Sequence, residues 1–76
     1  MIPEAAVAFV ADLLRLPIES PEHVVGHWVW EHMGGDDREG AMLAVNDVMC
    51  NWPAGTRFHE LAVNVWLLLG GAGVAA

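Results

Sequence analysis

Three interruptions decide what this chain can become. Pro17, the pair Gly34-Gly35 and the run Asn51-Trp52-Pro53-Ala54-Gly55 divide its 76 residues into four stretches. Proline cannot continue a helix and glycine weakens one, so no regular element runs through these points. Within each stretch, apolar residues return every three or four positions, the period of a helix with one greasy side.

In the first stretch Pro3 suits an opening turn, because its missing N–H would be unpaired there anyway. A helix is expected from Pro3 to Leu16. Ile2, Ala6, Phe9, Val10, Leu13 and Leu14 form its apolar stripe, and Glu4, Asp12 and Arg15 lie opposite. Ser20-Pro21-Glu22 is a start signal of cap, proline and acid, so a second helix is expected from Pro21 to Met33. Val24, Val25, Trp28, Val29 and Trp30 favour strands. Strict alternation fails, however, since Gly26 and His32 would share the face of Val24, Trp28 and Trp30, and helix is the reading retained.

Asp36 can cap a third helix, with Glu39 three residues on as in a capping box. Met42, Val45, Val48, Met49 and Trp52 make its apolar face, while Asn46 and Asp47 point elsewhere. Thr56 caps a fourth helix running from Arg57 to Leu69. Phe58, Leu61, Ala62, Val65, Leu68 and Leu69 share one face. Val63, Trp66 and Leu67 lie outside it and are also apolar, so this helix should be buried on several sides. The glycines after Leu69 end it, and residues 70–76 are expected to form a loose tail. The fold class is therefore all-α: one domain over residues 1–76, a small antiparallel bundle of four short helices. No internal repeat, low-complexity segment or second domain is expected.

Apolar residues make up 55% of the chain. A small domain has proportionally much surface, so some of this apolar material must face outward. It would be covered by self-association, as in a homodimer, or by a dedicated partner surface. The net charge is −7, with ten acids against three basic residues, all arginine. Such a chain is repelled by phosphate backbones, which argues against direct nucleic-acid binding and favours a basic protein surface. The same charge also keeps a greasy chain soluble. The single cysteine, Cys50, allows no internal disulfide, and a small domain without one suits a reducing compartment such as the cytoplasm. Met1-Ile2-Pro3-Glu4 has no basic leader character. The apolar run Leu61–Ala76 is shorter than the ~18–20 residues of a membrane span, so no membrane contact is expected.

Several residues could carry chemistry. His23, His27 and Glu31 follow one another at helical spacing along one edge, where a His pair one turn apart can grip a metal ion, with Glu31 or His59 as a third ligand. The plainer alternative is a row of solvent-facing polar residues. His59 and Glu60 are adjacent and point ~100° apart on a helix, so they do not act on one atom together. Cys50 has no neighbouring base in sequence and reads as a core or half-buried thiol. Gly34-Gly35 is followed by Asp36 and Asp37, which would repel a phosphate, and Gly70-Gly71 follows a helix where a phosphate loop must precede one. Asp36, Asp37 and Glu39 lack the twelve-residue calcium-loop pattern. Length, acidity and four helices invite comparison with acyl carrier proteins. Their Asp-Ser-Leu at the second helix start is here Glu19-Ser20-Pro21, so no prosthetic arm, and no cofactor of any kind, is expected.

The four tryptophans are the least ordinary feature. Trp28 and Trp52 fit apolar faces, whereas Trp30 and Trp66 fall off them, as interface anchors do. The expected function is that of a non-enzymatic interaction protein. Glu31, Asp36, Asp37, Glu39 and Asp47 would steer a basic protein partner, and Trp30 and Trp66 would dock. By association alone, small acidic lysine-free chains are found among phage and mobile-element products that inhibit a host factor. The alternatives are a metal-binding protein built on His23 and His27, and a structural subunit of a larger assembly.

Overall fold

A computed structural model describes residues 1–71; the end of the expected tail, residues 72–76, lies outside the described residues. Four helices follow in order: α1 Glu4–Leu13, α2 Pro21–Gly34, α3 Arg38–Asn51 and α4 Arg57–Leu68. The described residues contain no strand, so the β-branched segment of α2 is helical. The chain is a small all-α bundle.

The caps act where the sequence puts them, with one exception. Ser20 Oγ accepts the His23 N–H at 3.1 Å and Thr56 Oγ1 accepts the His59 N–H at 3.2 Å. At α3 the cap is Asp37, not Asp36: the Asp37 carboxylate accepts the Gly40 N–H at 3.0 Å. Asp36 closes α2 instead. Its φ is 53°, the left-handed region where a side chain is usually disfavoured. The N–H of Asp36 reaches Met33 O at 3.2 Å and that of Asp37 reaches His32 O at 2.9 Å, the paired closure of a Schellman motif. Gly70, with φ 90°, holds the same place after α4, where its N–H and that of Gly71 return to Leu67 O and Trp66 O. α1 stops three residues short of the expected Leu16. Pro17 pushes its predecessor out of the helical region, and the N–H groups of Arg15 and Leu16 turn back to Asp12 O and Leu13 O.

α2 and α4 form the central pair. Each touches all the other helices, while α1 and α3 flank the pair without touching each other. The core joins Ala6, Val10 and Leu13 of α1 with Val25, Val29 and Met33 of α2, then Ala41, Val45 and Val48 of α3 and Leu61, Ala62, Val65 and Leu69 of α4 and its cap. Ile2 completes it from outside α1. Gly26 packs tightly against the end of α1: a Cβ built there would lie 3.1 Å from Leu13 Cβ and 3.3 Å from Leu14 Cγ.

Contrary to the expectation of no internal repeat, the structure contains one. Pro17 and Pro53, Ser20 and Thr56, and His23 and His59 stand 36 positions apart. Both corners are built alike. Each proline carbonyl accepts the N–H and the hydroxyl of the capping residue, Ser20 or Thr56. Each histidine turns its Nδ1 back to the carbonyl before the proline, Leu16 O at 3.2 Å and Trp52 O at 3.0 Å. The same spacing pairs buried positions of α2 and α4: Val25 with Leu61, Gly26 with Ala62, Val29 with Val65, Met33 with Leu69. A spacing of 35 pairs those of α1 and α3: Ala6 with Ala41, Val10 with Val45, Leu13 with Val48. The bundle is one helical hairpin used twice. The pattern of helix contacts is unchanged when the two hairpins are exchanged.

Asp36 ties the start of the chain to the joint between the hairpins, because its Oδ1 accepts the Ile2 N–H at 2.8 Å. Asp36→Ala removes this bond and keeps the disfavoured φ. It is expected to lower the melting temperature by about 4–8 °C, the shift that ~1 kcal/mol makes in a domain of this size. Asp36→Asn retains an acceptor oxygen and tolerance of the left-handed region, and thermal melts should place it near the parent.

Candidate functional site

All three arginines are engaged within the molecule. Arg38 donates from Nε to Leu69 O at 2.7 Å and so covers the end of α4. Arg57 pairs with Glu22 at 3.1 Å and with Glu60. Arg15 lies 4.0 Å from Asp12 on the surface. The Glu22 carboxyl sits below its usual range through a backbone hydrogen bond first and Arg57 second. That of Asp37 is lowered by the Gly40 N–H first and by His32, 3.3 Å away, second. Gly40 makes room for this pair, since a Cβ there would collide with the Asp37 carboxylate and come within 2.5 Å of the His32 ring.

The remaining acids are the ones that can act on something else. Glu4, Glu19, Glu31, Asp36, Glu39 and Asp47 are exposed and carry no ion pair among the described residues. Of the five acids expected to steer a partner, Asp36 and Asp37 have structural work at the α2–α3 joint. Glu31, Glu39 and Asp47 are free of it.

Two grooves among the described residues bear on these side chains. The first, of about 340 Å³, lies between α3 and α4 and is lined by Glu39, Met42, Leu43, Asn46 and Trp66. Leu43 is 69% exposed, and Glu39 and Asp47 stand one helical turn before and after it. Trp66 is half-buried there. Its Nε1 is shielded without a hydrogen-bond partner among the described residues, against Gly71, whose Cβ would fall on the indole. Met42, Leu43 and Asn46 were absent from the expected site, although Leu43 betrays itself as a leucine on the polar side of an amphipathic helix.

The second groove, of about 560 Å³, is lined by Ile18, His23, Val24, His27, Trp28 and Glu31. The His23 ring is anchored through Nδ1 to Leu14 O and Leu16 O, and the His27 ring lies nearly parallel to it with centroids 6.3 Å apart. His59 serves the other corner. Among the described residues no three of His, Cys, Asp and Glu are placed to hold a metal ion. Trp28, expected on the apolar face, is 41% exposed. It meets Trp52 edge-on at 5.6 Å, and Trp52 in turn stacks on Phe58 at 4.6 Å. Trp30 is 39% exposed and lines neither groove. Cys50, expected to be at least half-buried, is exposed, because the core side of α3 is taken by Ala41, Ala44, Val45 and Val48.

Of the family models, curated proteins and solved structures compared with the chain, none matches it. No helix among the described residues is long and apolar enough to cross a membrane. The geometry of the two grooves therefore carries the functional reading alone.

Proposed function

We propose that this chain is a non-enzymatic interaction protein that binds a basic, partly apolar segment of a partner protein across α3 and α4. The observation that supports it most is Leu43, the most exposed large apolar side chain within any helix, set between two unpaired carboxylates over the Trp66 groove. An apolar anchor in a charged rim suits a partner segment with a hydrophobic residue flanked by lysine or arginine. Arg38 and Arg57, which could neutralise the rim, are engaged by Leu69 O and by Glu22 and Glu60, and Arg15 lies beside Asp12 on α1. The acids raise the encounter rate, and Leu43, Met42 and the Trp66 indole supply the apolar contact.

The test is a titration of the isotope-labelled chain with a helical peptide of leucines and lysines, its leucines three and four residues apart, followed by amide shifts. Saturable shifts should centre on Glu39, Leu43, Asn46 and Asp47. The pair of charge reversals Glu39→Lys and Asp47→Lys should weaken binding at least tenfold and flatten its salt dependence. Leu43→Glu, at a site open enough to leave the fold intact, should weaken it comparably. Binding that ignores all three substitutions would overturn the proposal, as would shifts that never reach α3.

A further inference from the structure

The duplicated hairpin offers an internal control for the second groove. What both hairpins share, the fold requires; what only one carries is available for something else. The corner and core positions of residues 17–33 recur in residues 53–69, but of the groove residues only His23 does, as His59. At the spacing of 36, Ile18 corresponds to Ala54, Val24 to Glu60, His27 to Val63, Trp28 to Asn64 and Glu31 to Leu67. His23 aside, the groove at the first corner is therefore formed by residues that its twin shows the hairpin can do without.

From this we infer that the groove of Ile18, Val24, Trp28 and Glu31 receives an arginine side chain of a partner protein. Trp28 and Glu31 lie three residues apart on α2, on one side of the helix. Trp28 keeps 41% of its surface open while Trp52 holds it in place. Glu31 is exposed and carries no ion pair among the described residues. It stands near the C-terminal end of α2, where backbone carbonyls add negative potential. A planar guanidinium matches both elements: it stacks on an indole face and forms a paired hydrogen bond with a carboxylate. Ile18, 74% exposed, and Val24 leave an apolar wall for the residue beside that arginine. The overall charge of −7 favours the same occupant. This contact is separate from the α3–α4 face and shares no residue with it.

The probes are a capped Leu-Arg-Leu peptide and its twin with citrulline, which keeps the planar shape without the charge. Titration of the labelled full chain should give saturable shifts at the Trp28 indole N–H and at Val24, His27 and Glu31. The citrulline twin should bind at least tenfold more weakly, and Glu31→Gln, nearly isosteric and exposed, should abolish the difference between the two peptides. Equal affinity for both peptides, or no saturable shift at Trp28, would overturn the inference. Shifts confined to Glu39, Leu43 and Asp47 would overturn it while leaving the α3–α4 proposal standing; shifts at Trp28 with α3 silent towards the helical peptide would do the reverse.

Discussion

Leu61→Ala is expected to lower the free energy of unfolding by about 2–5 kcal/mol. Leu61 is 1% exposed, on one of the two central helices, where the flanking elements cannot close over a lost side chain without moving. The total stability of a chain this long is only ~4–11 kcal/mol at ~0.05–0.15 kcal/mol per residue, so the variant loses a large share of it. Urea unfolding followed by circular dichroism measures the loss. Leu67→Ala on the same helix, at a side chain 54% exposed, serves as the comparison and should change stability by less than ~0.5 kcal/mol. Similar losses at the two positions would mean that α4 is not central.

Gly26→Val should be nearly as damaging, at about 2–3 kcal/mol, for the opposite reason. A single added carbon already meets Leu13 Cβ at 3.1 Å, and the two methyls of valine would have to displace α1. Gly26→Ala is a finer case. Alanine gains up to ~1 kcal/mol of helix propensity over glycine and meets two leucine side chains that must give by a few tenths of an ångström. Its twin position, Ala62, is fully buried and carries that carbon already. The alanine variant should therefore unfold close to the parent in urea while the valine variant unfolds well before it. Two coincident curves would mean that α1 does not bear on Gly26.

Local chemistry made most of the fold legible. Ser20 and Thr56 announce their helices because a cap is a bond between near neighbours in the chain. The apolar stripes found Ala6, Val10, Leu13, Val45, Val48, Leu61, Ala62 and Val65 because burial follows helical period. What could not be read depended on partners distant in sequence. Asp36 and Asp37 are both plausible caps. Only the closure of α2 behind them and the bond to Ile2 in front assign the left-handed position to one and the cap to the other. Trp28 fits the apolar stripe of its own helix, but its place is decided by Trp52, which leaves it partly open. The repeat is hard to read from the sequence because its identities, such as Pro17 with Pro53 and His23 with His59, are scattered, and elsewhere valine answers leucine and serine answers threonine. Glu39 and Asp47 were legible as exposed acids, whereas the leucine between them stands out only with the Trp66 groove beside it.

The hairpin used twice has a kinetic consequence. Each corner closes between residues near one another in the chain, so its loop costs little entropy to form. Contacts of this local kind are associated with folding in microseconds to milliseconds. A bundle assembled from two such units has two equivalent places at which order can begin. A substitution that slows one hairpin leaves the other able to form first, and what is left is the docking of the two hairpins, in which α2 meets α3 and α4 and α1 meets α4.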